Sequence, residues 1–154
     1  MTGGARRVIA VGVLLAGLVL VATACESTES SQIGACQIRP GSLCQGNYMR
    51  GAKLAGSGLF TAQLSHADLS RADLRAADLS GADLVASVLR DARLQGADLS
   101  YADLTRADLR GAQLRGADLT AADLTGAHVS AAQLASATVC RTVLPDGSTA
   151  APDC

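Results

Sequence analysis

The residues that could do chemistry in this chain are two histidines, five cysteines and a run of regularly spaced aspartates. A metal site or a catalytic pair would need His66 and His128 to come together, beside acids or thiolates at suitable spacing. The cysteines contain no pair of CxxC motifs, and no glycine-rich phosphate loop is present. Ser57 lies in the sequence AGSG, which lacks the strand-to-helix turn of a hydrolase nucleophile. We therefore expect no enzyme activity, no metal and no cofactor.

The aspartates belong to a five-residue period. Residues 67–84 read ADLSRADLRAADLSGADL, with a leucine at every fifth position. Five fits neither a helix, on which successive leucines fall about 140° apart, nor a continuous strand, on which every second leucine changes side. A chain that keeps leucine at position i and alanine at i−2 inside must turn once per repeat. This pattern predicts a β-solenoid, in which each coil buries its face on the next.

The register can be followed along most of the chain. The i positions run by fives from Leu54 to Val139, which makes 18 units, with leucine at 16 of them and valine at Val129 and Val139. Position i−2 is alanine in 16 units and serine in two, Ser57 and Ser87. A coiled coil would repeat every seven residues, and a low-complexity segment would drift. The constant register excludes both.

These units resemble the pentapeptide-repeat family, whose consensus is A-(D/N)-L-x-x, across residues 52–139. The resemblance implies an all-β fold, a right-handed quadrilateral β-helix with four pentads per coil and positions i and i−2 inward. Eighteen units would then make about 4.5 coils, roughly 22 Å long at strand spacing. Aspartate at i−1 is part of the family consensus, so the resemblance makes these carboxylates ordinary surface groups. The same frame puts both histidines on the surface and on different faces.

The N-terminus has a different composition. Residues 1–7 carry Arg6 and Arg7, and residues 8–24 contain no charge, which indicates a secretory signal peptide over residues 1–24. This run ends in A-T-A-C and resembles the bacterial lipobox, although Ala22 stands where leucine is commoner. The resemblance implies that Cys25 is diacylated and becomes the new N-terminus. Residues 25–35 have the composition of a polar tether. Twin-arginine export and an uncleaved anchor are the alternatives.

Four cysteines remain, and an even set in an exported chain suggests disulfides rather than free or metal-binding thiols. In a solenoid, Cys36 and Cys44 lie at one end and Cys140 and Cys154 at the other. Because a disulfide needs Cα atoms within about 7 Å, we expect the bridges Cys36–Cys44 and Cys140–Cys154. They would staple an N-terminal cap, residues 36–51, and a C-terminal cap, residues 140–154. Residues 144–147, LPDG, are typical of a turn inside the second cap.

The outer positions predict a two-sided charge distribution. If four pentads close one coil, one face carries mainly cations. The neighbouring face carries further cations, which aspartates 68, 91 and 108 partly offset. The other two faces carry aspartates. A basic side could steer a charged partner, and the alternative is that these charges only keep the prism soluble. The candidate interaction surface consists of Lys53, Arg75, Arg93, Arg115, Arg90 and Arg110.

The best-known role in the resembled family is DNA mimicry that shields type II topoisomerases. A 22 Å rod that mimics DNA would need about 13 net negative charges. Residues 50–139 hold ten aspartates against nine lysines and arginines, and an exported chain would not meet a topoisomerase. We therefore expect a non-enzymatic binding or spacer module, lipid-anchored through Cys25 to the outer face of a bacterial plasma membrane. Its partner would be an envelope protein or polymer and not nucleic acid. The first alternative function is the DNA mimic, and the second is an envelope enzyme.

Overall fold

The computed structural model describes residues 39–150 and residue 154. Over most of this length, single extended residues alternate with turns every five positions. Parallel β-bridges join residues that are 20 apart in the chain, from Leu43 with Gln63 to Asp123 with Val143. Four pentads therefore complete one coil, and each coil stacks on the one before it.

The stack has four faces, which we number in chain order by the residue at position i. Face 1 carries Cys44, Leu64, Leu84, Leu104 and Leu124; face 2 carries Met49, Leu69, Leu89, Leu109 and Val129; face 3 carries Leu54, Leu74, Leu94, Leu114 and Leu134; face 4 carries Leu59, Leu79, Leu99, Leu119 and Val139. Every residue in one of these columns sits one coil above the last. Outward side chains that are 20 residues apart in the chain are therefore neighbours on the surface.

Hydrogen bonds between backbones join neighbouring coils at every face. The Leu74 N–H donates to the Arg93 carbonyl at 2.8 Å, and the Arg93 N–H donates to the Ala72 carbonyl at 2.9 Å. The same two bonds recur at other i and i−1 positions along the stack. Each coil thus templates the next by backbone contacts that do not depend on side-chain type.

Each corner is a tight turn. The Ala77 N–H donates to the Leu74 carbonyl at 3.1 Å, and Ala76, the third residue of this turn, has a φ of 52°. A positive φ at that position is what a type II turn requires, and glycine adopts it most easily. Gly96 fills it one coil above Ala76, with a φ of 65°. Because Ala76 takes the same conformation as glycine, the stacked coils impose the turn.

The interior is a column of leucine and alanine. Leu59, Leu99 and Leu124 are fully buried, as are Ala62 and Ala92 at position i−2. These are the inward positions that the five-residue period predicts. Ser87 replaces alanine at i−2 and is fully buried, and its hydroxyl has no hydrogen-bond partner among the described residues.

The solenoid begins earlier than the sequence analysis placed it. Leu43 and Tyr48 already form bridges with the second coil, and Cys44 and Met49 are buried at position i. The sequence analysis started the register at Leu54 and placed these residues in the N-terminal cap, residues 36–51. The backbone ladder accepts any side chain that fills the interior, so the register extends down to Ser42.

The last coil departs from the predicted register. Residues Ala131–Leu134 form a short helix, α1, that begins at Ser130 with a capping box made with Gln133. Ala132, predicted inward, is exposed, so the prediction was wrong for this unit. The Gln133 side-chain amide donates to the carbonyls of Leu109 and Ala112, at 2.7 and 2.8 Å, and ties α1 to the coil below.

A β-hairpin closes the C-terminal end. Strand β1, Thr142–Val143, pairs antiparallel with β2, Thr149–Ala150, through a turn at the predicted LPDG sequence. The Val143 N–H also donates to the Ala122 carbonyl at 2.9 Å, so the hairpin continues the stack beyond Val139. A disulfide joins Cys140 to Cys154, with the Cα atoms 5.9 Å apart.

Several predicted features lie outside the described residues: the signal peptide over residues 1–24, Cys25, the tether over residues 25–35, and Cys36. Cys44 is disulfide-bonded, and the pairing of Cys36 with Cys44 stays a prediction. Within residues 39–150 and 154, no helix is both long and apolar enough to cross a bilayer.

The positive φ of Ala76 leads to a testable prediction about the stability of glycine variants at Ala76 and Ala77. Ala76→Gly should raise the unfolding free energy by up to about 1 kcal/mol, because an L-residue is strained at positive φ. Ala77→Gly, one residue later at the buried i−2 position, is the matched control and should lower it by about 1 kcal/mol. Chemical denaturation measures both. If both variants lose stability equally, the third residue of the turn is not strained.

The C-terminal disulfide makes a second prediction. Cys154→Ser opens a loop with a sequence separation of 14, which the chain-entropy model values at about 3 kcal/mol. End coils have a neighbour on one side only, so amide exchange should accelerate first around β1 and β2 and least around Leu79–Leu99. Hydrogen-exchange mass spectrometry on wild type and variant measures this gradient. Uniform acceleration along the stack would contradict it.

Candidate interaction surface

The aspartates at i−1 stabilise the turns at the corners of the coils through hydrogen bonds to the backbone. Each accepts a hydrogen bond from the backbone N–H two residues later, at distances between 2.8 and 3.4 Å. The nine are Asp68, Asp73, Asp78, Asp83, Asp98, Asp103, Asp108, Asp118 and Asp123. A short acidic side chain that caps the backbone two residues on is the Asx-turn geometry. The sequence analysis treated these carboxylates as plain surface and missed this role, although their constant position before leucine was the available signal.

The four faces divide the charge in two. Faces 2 and 3, which adjoin, carry eight cations against four acids: Arg50, Lys53, Arg71, Arg75, Arg90, Arg93, Arg110 and Arg115 against Asp68, Asp73, Asp91 and Asp108. Faces 1 and 4 carry six acids against two cations: Asp78, Asp83, Asp98, Asp103, Asp118 and Asp123 against Arg106 and Arg141. The predicted basic side therefore corresponds to two adjoining faces of the stack, opposite the acidic pair.

Most of the predicted cationic surface is paired within the molecule. Asp73 accepts from Arg75 at 2.7 Å and lies 3.8 Å from Arg93. Asp108 binds both Arg90 and Arg110. Lys53 and Arg115, the other two predicted residues, form no ion pair with a described residue. The six residues thus comprise four arginines that share two aspartates, which leaves two of their positive charges unbalanced, and two cations that are open to a partner.

Two carboxyl groups on this side titrate below the ordinary range. The hydrogen bond from Arg75 holds the pKa of Asp73 below its usual 3.8, and Asp73 in turn raises the pKa of Arg75. For Asp68, partial burial raises the pKa, but hydrogen bonds from Ser70 and Arg50 together outweigh it, so the net shift is downward. Both aspartates are charged at neutral pH.

The two histidines stay apart. His66 is exposed at a corner of face 1, and His128 is exposed on face 2, where it bridges to Asp108 of the preceding coil. Among the described residues, no three histidine, cysteine, aspartate or glutamate side chains are grouped so as to hold a metal ion. The depressions on face 2, beside Arg110 and Gly111, are shallow and open to solvent.

The repeats identify the family. The sequence model for pentapeptide repeats matches residues 48–91 and 87–126, in eight copies. Together these matches cover just over half of the chain. The chain belongs to the pentapeptide-repeat family. No curated protein is similar enough to count as a match.

Several solved structures are similar over part of their length. A pentapeptide-repeat protein from the Arabidopsis thaliana thylakoid lumen is 36% identical over 54% of this chain, with a TM-score of 0.26, and this chain spans about half of its length (52%). HetL, a pentapeptide-repeat protein involved in heterocyst differentiation regulation in the cyanobacterium Nostoc, is 28% identical over 70% of this chain and 64% of its own, with a TM-score of 0.30. QnrB1, a plasmid-mediated fluoroquinolone resistance protein, is 21% identical over 68% and 73%, with a TM-score of 0.28.

The lowered pKa of Asp73 makes a pH prediction. A carboxyl whose pKa is lower in the folded state stabilises the fold above its ordinary pKa, and this contribution is lost as the pH falls through the folded value. Asp73→Asn keeps an oxygen for the corner but loses the charge that binds Arg75. Its melting temperature should lie below that of the wild type at neutral pH, and the two should converge below pH 3.8.

Asp91→Asn is the matched control, because the Asp91 carboxylate has no hydrogen bond or ion pair with a described residue. It should show no pH-dependent difference from the wild type. A deficit in Asp73→Asn that stays constant into acid would mean that the lost charge is not its cause. Thermal unfolding followed by circular dichroism at a series of pH values measures all three proteins.

Proposed function

We propose that this pentapeptide-repeat protein is an extracytoplasmic lipoprotein, tethered to the outer face of a bacterial plasma membrane through Cys25. The observation that carries the proposal is the uncharged run of residues 8–24, which ends in A-T-A-C directly before Cys25. The polar residues 25–35 follow and would connect the lipid to the first coil. A disulfide at Cys140 and Cys154 and a disulfide-bonded Cys44 support export into an oxidising compartment.

The prism itself acts as a binding or spacer module. Its interior is filled by leucine and alanine, and the nine i−1 carboxylates are engaged by corner hydrogen bonds. Backbone ladders at four faces make a rigid body, which suits a part that holds a charged surface at a set distance from the membrane. The disulfide at Cys140 and the predicted Cys36–Cys44 bridge staple its two ends.

Faces 2 and 3 form the binding side. Lys53 and Arg115 on face 3, with Arg71 on the adjoining corner, form no ion pair with a described residue and can bind anionic groups. The partner would therefore be an anionic polymer of the cell envelope or an acidic surface of an envelope protein. The paired arginines contribute less, because a partner would have to displace Asp73 or Asp108 from them.

A second candidate is a DNA-mimicking protein that shields a type II topoisomerase, and one observation favours it. Faces 1 and 4 carry stacked aspartates, one per coil, about 4.8 Å apart. The eight cations of faces 2 and 3 oppose it, because a mimic of duplex DNA needs negative charge all round. Protection of DNA gyrase from a fluoroquinolone by the purified chain would favour this candidate over the lipoprotein.

Lipid attachment at Cys25 is the decisive test. Metabolic labelling with a fatty-acid analogue should mark the wild type, and Cys25→Ser should lose both the label and its cleavage to the mature form. Cys154→Ser, a cysteine variant at the far end of the chain, is the matched control and should stay labelled and membrane-bound. An unlabelled wild-type protein that fractionates with the cytosol would overturn the proposal.

A further inference from the structure

The first coil differs in charge from the rest of the stack. Between residues 39 and 67 the chain carries the cations Arg39, Arg50 and Lys53 and no aspartate or glutamate. Within the coils, the first acidic residue is Asp68, in the second coil. The N-terminal end of the prism therefore carries an excess of positive charge from Arg39 and Lys53, while Arg50 pairs with Asp68 of the second coil at 3.0 Å.

The same coil exposes large apolar side chains. Leu43 and Tyr48 are 73% and 78% exposed, at position i−1 of faces 1 and 2. In the second coil the same columns hold Gln63 and Asp68. Leucine and tyrosine thus occupy the i−1 position of these two faces in the first coil, where polar residues stand in the second.

This end of the stack also presents backbone N–H groups that have no partner among residues 39–150. The N–H groups of Leu43, Tyr48, Lys53 and Gly58 donate to no described residue. In the second coil the equivalent N–H groups all donate to the coil below, as Asp68 does to the Asn47 carbonyl at 2.9 Å. We call these four residues, together with Arg39 and Arg50, the N-terminal rim. It combines backbone donors, cations, a leucine and a tyrosine on one end of the molecule.

We propose that the N-terminal rim rests on the anionic headgroups of a lipid bilayer, with the stack of coils standing away from the membrane. Phosphate oxygens accept from the four N–H groups and attract Arg39 and Lys53, and they compete with Asp68 for Arg50. Tyrosine prefers this depth, where its ring is partly buried and its hydroxyl stays wet. The inference rests on the proposed function, because the tether from Cys25 joins the prism at this end.

The same features determine how deeply the rim enters the bilayer, and they disfavour a second copy of the chain as its partner. Unpaired backbone groups cannot enter the hydrocarbon core, so the rim stays at the hydrated headgroup level, where water serves its carbonyls. A second copy docked rim to rim would bring like charges together, because Arg39 and Lys53 form no ion pair with a described residue and would face the same two cations. A flat anionic surface has the opposite charge, and it meets all sides of the rim at once.

The absence of tryptophan from the sequence allows a direct test. Tyr48→Trp places an indole on the rim, and Tyr101→Trp, at a position that is 72% exposed higher on face 4, is the matched control. Each full-length protein is purified from membranes and reconstituted into vesicles of phosphatidylglycerol and phosphatidylcholine with brominated acyl chains. The indole at position 48 should be quenched and blue-shifted, and the indole at position 101 should be unaffected.

Charge variants distinguish binding through the N-terminal rim from a general electrostatic attraction between the protein and anionic vesicles. In the Tyr48→Trp protein, Arg50→Gln with Lys53→Gln should reduce the quenching, whereas Arg75→Gln with Arg93→Gln removes the same charge from higher coils and should not. Vesicles of phosphatidylcholine alone should also quench less. Quenching at position 48 no stronger than at position 101 would overturn the proposal. A blue shift without quenching would also overturn it, since the rim would then be covered by protein.

The inference and the proposed function fail in different ways. A wild-type chain without lipid on Cys25, but with quenching at position 48 in vesicles, would remove the lipoprotein and keep the rim. A chain with lipid on Cys25, but with position 48 unquenched, would keep the lipoprotein and remove the rim. Mass spectrometry of the N-terminal peptide, done on the same preparations, assigns each result.

Discussion

The hydrogen bonds between successive coils are the interaction on which the rest of this structure depends. Each pentad donates two backbone N–H groups, at i and i+2, to the coil above and one, at i−1, to the coil below, and this repeats at a 20-residue interval on four faces. The ladder forces a corner every five residues, and it holds Ala76 and Arg71 in a left-handed conformation that they would avoid in isolation. It also stacks outward side chains in columns, so the surface is determined by residues far apart in the chain.

Stacking has an electrostatic cost that the surface offsets in two ways. Aspartates one coil apart, such as Asp98 and Asp118, repel each other at about 4.8 Å, although water weakens the repulsion. On the acidic faces the carboxylates accept hydrogen bonds from corner N–H groups and from hydroxyls such as that of Thr120. On the basic faces they bind arginines, as Asp108 binds Arg90 and Arg110. The same aspartate at the same repeat position is thus stabilised by different neighbours.

The two ends of the stack differ in the groups that contact their backbone edges. At the C-terminus, α1, the β1–β2 hairpin and the Cys140–Cys154 disulfide cover the last coil, and Gln133 satisfies two of its carbonyls. At the N-terminus, the backbone donors of Leu43 and Tyr48 meet no described residue. Backbone donors at a sheet edge are a place where other groups bind. A protein held to a membrane at that end would have such a partner at hand.

The five-residue period by itself determined the solenoid, its buried leucine and alanine columns and the family, because an inward side chain every five residues is compatible with no helix or flat sheet. Only the tertiary structure decided where the stack starts and how it ends. Cys44 and Met49 joined the core because the backbone ladder recognises no side-chain type, and α1 formed where Ser130 and Gln133 make a local capping box. It also decided which cations are open to a partner. Arg90 and Asp108 pair across 18 residues of chain, and that contact exists only once a coil of four pentads brings their columns side by side.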